Sequence, residues 1–271
     1  MNQTDLQVMD ITSLKAVVTD LRQIMLPSRF EKAQQPEPGT IQIGLRNLKG
    51  LIWLEISWQA EAPRLVQIPP PSRIGGKSTL AQQIQHGLSH MALVQIKQNG
   101  FDRVVEFDLA KRPGGPIHRV LVIEIMGKHS NLLLLDNHKK IITLGRQVRS
   151  HQSRVRPLGT GDTYTPPPAL QGIAPSSKEP FQRWKERLSL VPVSLKKALQ
   201  ESYQGISPSL ALQLAADEID SAEKLLTLPV LKLSDNQWRH LYQRWSHWLF
   251  ESFRTGKLSS LSAMSVSSAA N

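Results

Sequence analysis

Apolar positions in residues 12–25 recur at Leu14, Val17, Val18, Leu21, Ile24 and Met25, the spacing of one helical face. Thr12 or Ser13 supplies a cap whose hydroxyl accepts from a first-turn N–H, and Pro27 stops the helix because it has no N–H to give. The period then falls to two. Ile41, Ile43 and Leu45 alternate with Gln42, Gly44 and Arg46, so residues 40–47 predict a strand with one wetter face. Runs at 29–34, 51–58 and 64–68 extend it into a meander. Pro69, Pro70 and Pro71 cannot continue a sheet and read as a stiff linker. Beyond them Ser78 caps a helix that runs to about His90.

Residues 96–136 are the centre of the pattern: strand, turn, strand, loop, strand, turn, strand. Asn99-Gly100 is a hairpin signal, because both central residues of a type I′ turn need positive φ. It predicts a strand ending at Gln98 and another from Phe101 to Leu109. If Ala110 pairs with Ile117 across the Pro-Gly loop, antiparallel register sets Phe107 opposite Val120, Val105 opposite Val122 and Arg103 opposite Glu124. That pair is either a structural cross-strand ion pair or two charged groups held at the end of an apolar sheet to touch a polar ligand. A further strand is expected over 141–148. Arg146, Arg149, Arg154 and Arg156 follow with no acid among them, either a solvated edge or, as we favour, a phosphate-contacting strip.

Residues 159–180, rich in Pro, Gly, Ser and Thr, mark a linker. Helical spacing returns after it. Residues 195–203 and 209–219 predict two helices around Gly205-Ile206-Ser207-Pro208, where glycine permits a left-handed turn and Pro208 suits a first helical turn. Free N–H groups at such a start can hold a phosphate, which makes Gly205 and Ser207 candidate contacts. Residues 235–253 carry Trp238, Leu241, Tyr242, Trp245, Trp248 and Leu249 on one face, a core stripe. The tail, 257–271, is mostly Ser, Ala and Leu and is expected to be disordered. The expected fold is thus α+β. A domain over 1–158, with antiparallel lobes at about 1–68 and 73–158, precedes an all-α domain over 181–256.

Composition narrows the function. The 33 Lys and Arg against 22 Asp and Glu give a net charge of +11, which favours phosphate-rich partners. With no cysteine, disulfides, thiolate zinc sites and a cysteine nucleophile are excluded. Residues 1–10 are polar and acidic and no apolar run reaches membrane-spanning length, so a cytoplasmic, membrane-free protein is expected. Gly75-Gly76-Lys77-Ser78 is not read as a phosphate loop, because Pro71 stands where the first glycine belongs and no buried strand precedes it. His86 and His90 are four apart but lack a third ligand, and no Ser/His/Asp arrangement stands out. No cofactor, metal or catalytic constellation is expected.

Asn99-Gly100-Phe101-Asp102-Arg103 followed by Glu124-Ile125-Met126-Gly127-Lys128-His129-Ser130-Asn131 resembles the NFACT family of ribosome-associated quality-control proteins, which includes the RqcH-type proteins of bacteria. The resemblance implies tRNA handling on the large ribosomal subunit by Asp102, Arg103, Glu124, Ile125 and Met126. Lys128 and His129 then join the arginine strip as candidate RNA contacts, and Gln204-Gly205-Ile206-Ser207-Pro208 is similar to the family's helix-hairpin-helix segment. The implied partners are tRNA and large subunits holding a stalled peptidyl-tRNA, with the ribosome doing any peptide-bond chemistry and the chain acting as a monomer. Members of the family continue into a coiled-coil hairpin and a further globular domain that are not found here, so tRNA binding with weak subunit association is expected. Two rivals remain. A DNA-glycosylase-like protein would need an N-terminal proline where Asn2 stands, and a fibronectin-binding adhesin would need an export signal.

Overall fold

The structure is a computed structural model that describes residues 9–71, 78–151, 153, 156–215 and 219–254. It forms two compact units. A sheet unit holds most of the chain to Pro168, and a helical unit takes Asp10–Ala16, Gly100–Asp102 and the chain from Ala169 onward. Among the described residues no helix is long and apolar enough to cross a membrane, and no group of three or more potential ligands could hold a metal ion.

Helix α1 (Ile11–Met25) presents the apolar face read from its spacing, with Leu14, Val18, Leu21 and Met25 buried. Its cap is Asp10 rather than Thr12 or Ser13. The Asp10 carboxylate accepts from the Ser13 N–H at 2.9 Å, and a carboxylate at this end also meets the positive end of the helix dipole. Helix α2 (Thr79–Leu88) starts as expected, with Ser78 Oγ accepting from the Ala81 N–H at 3.0 Å.

Among the described residues nine antiparallel strands make one sheet: β1 (Ser28–Gln34), β2 (Thr40–Asn47), β3 (Gly50–Ser57), β4 (Arg64–Ile68), β5 (Ala92–Lys97), β6 (Val104–Ala110), β7 (Ile117–Glu124), β8 (Asn131–Asp136) and β9 (Ile141–Leu144). Their order is β4-β3-β2-β1-β5-β6-β7-β8-β9. The two expected lobes are therefore halves of one sheet, joined where Ser28 and Arg29 pair with Leu93 and Ala92. Past that short join the open backbone of β1 is met by a side chain. Gln85 accepts from the Ala33 N–H (2.8 Å) and donates to the Glu31 carbonyl (3.3 Å), so α2 does the work of a neighbouring strand.

Three local expectations change. Asn99-Gly100 is not a two-residue hairpin: β5 ends at Lys97, β6 begins at Val104, and only Gly100 of the pair has positive φ. Phe101 is drawn instead into the helical unit, where its ring lies 6.0 Å from that of Trp248. The β6–β7 register starts at Ala110 opposite Ile117, but a bulge then inserts His118, so Leu109 faces Arg119, Phe107 faces Leu121 and Val104 faces Glu124. One extra residue moves Val120, Val122 and Glu124 to the other face of the sheet. Finally β9 stops at Leu144; the next residue, Gly145, lies against the Trp58 indole, where even a Cβ would come within 2.5 Å.

Strands β6–β9 are covered on both faces, which explains near-continuous burial in β8. On one face Leu134 meets Gly87 of α2; on the other, Val122, Leu133 and Ile141 pack with Leu158 and Tyr164 from the following segment. The helical unit comprises α3 (Phe181–Leu188), α4 (Leu195–Ser202), α5 (Pro208–Ala215), α6 (Ile219–Thr227) and α7 (Asp235–Arg254). The tryptophan stripe of α7 is its core, as its spacing predicts, with Trp184 edge-on to Trp238 at 5.7 Å and the Tyr203 ring tilted against that of Trp245 at 4.6 Å. The expected tail, 257–271, lies outside the described residues.

Candidate nucleic-acid interface

At the end of the sheet where β7 leaves and β8 enters, the chain makes a tight loop. Met126 leads into a 3₁₀ turn over Gly127–His129. Its N–H donates to the buried Ser130 Oγ at 2.7 Å, and the His129 N–H to the Met126 carbonyl at 3.1 Å. Held by these bonds, the loop carries Lys128 and His129 outward. Asn131 then clamps the sheet end. Its side chain accepts from the Arg146 N–H (2.9 Å) and donates to the Arg146 carbonyl (2.8 Å), fixing where that arginine leaves the fold.

These elements surround a cleft of about 830 Å³. Arg103, Lys128, Arg146 and Arg156 line it together with Met126 and His129, and among its described lining residues none is a carboxylate. The volume lies in the range of ordinary ligand pockets, while the lining favours an anion.

One of the four cations, Arg156, is held in place by a buried carboxylate. Glu124 has no exposed side-chain surface, and Arg156 grips it with two donors, Nη1 to Oε2 at 3.0 Å and Nη2 to Oε1 at 2.5 Å. Tyr164 Oη donates to the same carboxylate at 3.0 Å. A fully desolvated carboxylate survives only with such partners. Glu124 thus pairs with Arg156 and not with Arg103, whose carbonyl instead accepts from the Ile125 N–H (2.9 Å), as the bulged register requires.

Of the residues drawn from the sequence, Arg103, Met126, Lys128, His129, Arg146 and Arg156 come together around the cleft. Glu124 and Ile125 are buried and bear on a ligand only through what they position. Asp102 belongs to the helical unit. Arg149 is exposed and does not line the cleft, and Arg154 lies outside the described residues. Gly205 and Ser207 have structural duties. A Cβ on Gly205 would meet Phe101 and Ile11 at 3.2 and 3.3 Å, and Ser207 Oγ takes the Leu210 N–H at 3.0 Å. Since Pro208 has no N–H, that helix start has little left for a phosphate.

Tyr164 is the residue that sequence reasoning missed. Its signal was a lone aromatic among Gly, Thr and Pro, in a stretch read as linker. Burial pushes its hydroxyl above the ordinary tyrosine range, reinforced by the Glu124 charge; burial and Glu179 do the same to Tyr203. The unfolded chain sheds these protons near pH 10 while the folded chain keeps them. The stability that these two buried hydroxyls contribute is therefore complete below about pH 10 and falls as pH rises above it. Alkaline unfolding should coincide with tyrosinate absorbance, with both shallower in Tyr164→Phe/Tyr203→Phe; tyrosinate forming well before unfolding would contradict the assigned burial.

Known proteins bear on this geometry in two ways. The chain is 29% identical over 207 residues to the Rqc2 homolog RqcH of Streptococcus suis, covering 74% of this chain and 37% of that protein. It is 32% identical over 140 residues to the Rqc2 homolog RqcH of Bacillus subtilis, covering 50% and 24%. The chain thus spans under two fifths of these relatives. Among solved structures, the N-terminal part of the fibronectin/fibrinogen-binding protein of Streptococcus suis superposes with a TM-score of 0.67 at 24% identity, covering 87% of this chain and 84% of that one. The fibrinogen binding protein of Staphylococcus aureus gives 0.69 at 23%, covering 90% and 82%. These two likenesses show the fold. Residues 10–265 match the NFACT N-terminal and middle domains, so the chain belongs to the NFACT family.

Proposed function

We propose that the chain binds tRNA through the cationic cleft and serves ribosome-associated quality control on obstructed large ribosomal subunits. In this reading it presents tRNA for untemplated tailing of the stalled chain, and the ribosome performs the peptidyl transfer. The observation that carries it is the cleft's lining: Arg103, Lys128 and Arg146 gather around a hollow whose described lining residues include no carboxylate, while Glu124 is spent on holding Arg156. Phosphate contacts of this kind position an RNA without reading its sequence. The RqcH name of the relatives and the charge of +11 support the same reading.

Arg103→Ala/Lys128→Ala/Arg146→Ala is expected to weaken tRNA binding roughly 10- to 100-fold and to flatten the slope of log affinity against log salt by about two to three. Because the replaced side chains sit at a cleft, the melting temperature should stay within a few degrees. Filter binding across a salt series measures the first, and sedimentation with purified large subunits tests the ribosomal part. Unchanged tRNA affinity in the triple variant would sink the reading.

A further inference from the structure

The other end of strands β6–β9 is also basic, and the cleft makes no use of it. There the β6–β7 loop carries Lys111 and Arg112, and the β8–β9 turn carries Lys139 and Lys140, all exposed. Register sets the two tips side by side, since Leu109 faces Arg119 and Arg119 faces Asp136 on successive strands about 4.8 Å apart. None of the four forms an ion pair among the described residues. The neighbouring carboxylates are turned to the backbone: Asp136 accepts from the N–H groups of His138 (2.8 Å) and Lys140 (2.9 Å), and Asp162 from that of Gly159 (2.7 Å). Charge with no internal partner is the footprint of a polyanion surface.

A second observation points the same way. Lys139 has φ +61°, a left-handed conformation in which a turn ordinarily takes Gly or Asn. Its N–H donates to the Asp136 carbonyl (3.2 Å) and its carbonyl accepts from the Tyr164 N–H (2.8 Å), so backbone bonds hold the turn without help from the side chain. A long cation thus occupies a position that disfavours any side chain, as strained residues at ligand contacts do.

We propose that these paired hairpin tips form a second RNA-backbone surface, taking phosphates of a structured RNA at the sheet end remote from the cleft. Arg119 and Glu124 are five strand steps apart, roughly 17 Å at about 3.3 Å per residue, so no single phosphate reaches both ends. The tips hold phosphate as point charges and read no bases. Neither tip presents a large exposed apolar side chain, which favours RNA over a membrane surface, where apolar insertion accompanies charge. The inference rests on the reading of the chain as an RNA-binding protein.

The test compares the full chain with Lys111→Ser/Arg112→Ser/Lys139→Gly/Lys140→Thr, using tRNA as the probe across a salt series, beside the cleft variant. The tip variant is expected to flatten the salt slope by about two to four, equally for tRNAs of different sequence. Lys139→Gly alone should melt at or above the wild-type temperature, because glycine relieves the left-handed strain. A wild-type slope in the tip variant, while the cleft variant is weakened, overturns this surface and leaves the cleft standing. Absence of tRNA binding by the wild-type chain overturns both. Tip-dependent binding to phosphatidylserine vesicles with an unchanged tRNA slope assigns the tips to a lipid surface and overturns the proposal.

Discussion

Arg156→Ala should destabilise the sheet unit by about 3–5 kcal/mol, the usual result of removing one partner from a buried ion pair. At about 2–4 °C per kcal/mol for a domain of this size, melting should fall by roughly 10 °C. The cause is not a lost attraction alone. Glu124 has no exposed surface, and without the arginine its desolvated carboxylate keeps only the Tyr164 hydroxyl. Glu124→Leu/Arg156→Met removes both charges, so it should melt well above the sum of the two single changes, with a coupling of about 1 kcal/mol or more. Arg156→Lys should rescue poorly, since a lysine cannot reproduce the two-pronged grip. Thermal melts of the four proteins measure all of this, and an Arg156→Ala protein melting within about 2 °C of wild type would show that the pair is solvated after all. A consequence for binding follows. Glu124 variants should weaken tRNA through a misplaced Arg156, without Glu124 touching the RNA.

Gly172→Ala is also expected to be damaging, although it falls in a stretch that reads as a tolerant linker. Gly172 has φ +80°, which disfavours any side chain. An added Cβ would also lie 2.6 Å from the carbonyl carbon and oxygen of Ser202 and 2.7 Å from the Tyr203 nitrogen, backbone atoms that cannot swing aside. The approach is close because the segment is hydrogen-bonded there: the Ile173 N–H donates to the Ser202 carbonyl (2.9 Å), and the Gln204 N–H to the Ile173 carbonyl (2.9 Å). Left-handed strain of about 1–2 kcal/mol and the displaced bonds together suggest a loss of roughly 3 kcal/mol or more. The calorimetric transition of the full chain should shift down by several degrees. An unchanged transition would mean that the segment is not docked on α4 as described.

The same stretch shows where reading the sequence stops being sufficient. Residues 159–180 have linker composition, yet Glu179 is buried. It accepts from Arg187 at 3.0 and 3.1 Å and from the Tyr203 hydroxyl at 2.6 Å, with Tyr242 donating to its carbonyl at 2.6 Å. Composition registers what a segment lacks, apolar bulk, and is blind to polar anchors whose partners lie elsewhere in the chain. Tyr164 was overlooked for the same reason, being 40 residues from the carboxylate it meets.

Where interactions are local, the sequence was sufficient. The apolar face of α1, the Ser78 cap and the tryptophan stripe of α7 all depend on residues within one or two turns, and periodicity records such spacing directly. The alternation of β2 predicted a wetter face that the structure does not keep, since Gln42 and Gly44 are buried along with Ile41, Ile43 and Leu45 and only Arg46 is exposed. The sequence also determined the cationic character of the chain and, through its motifs, the residues that gather at the cleft. Tertiary structure alone decided the pairing of those residues. A single bulged residue, His118, reverses the face of Glu124, and no local signal marks a bulge in a strand that is apolar on both sides. The choice between Arg103 and Arg156 as partner of Glu124 therefore rested on long-range packing, in which the segment carrying Leu158 and Tyr164 closes over that face and brings Arg156 with it.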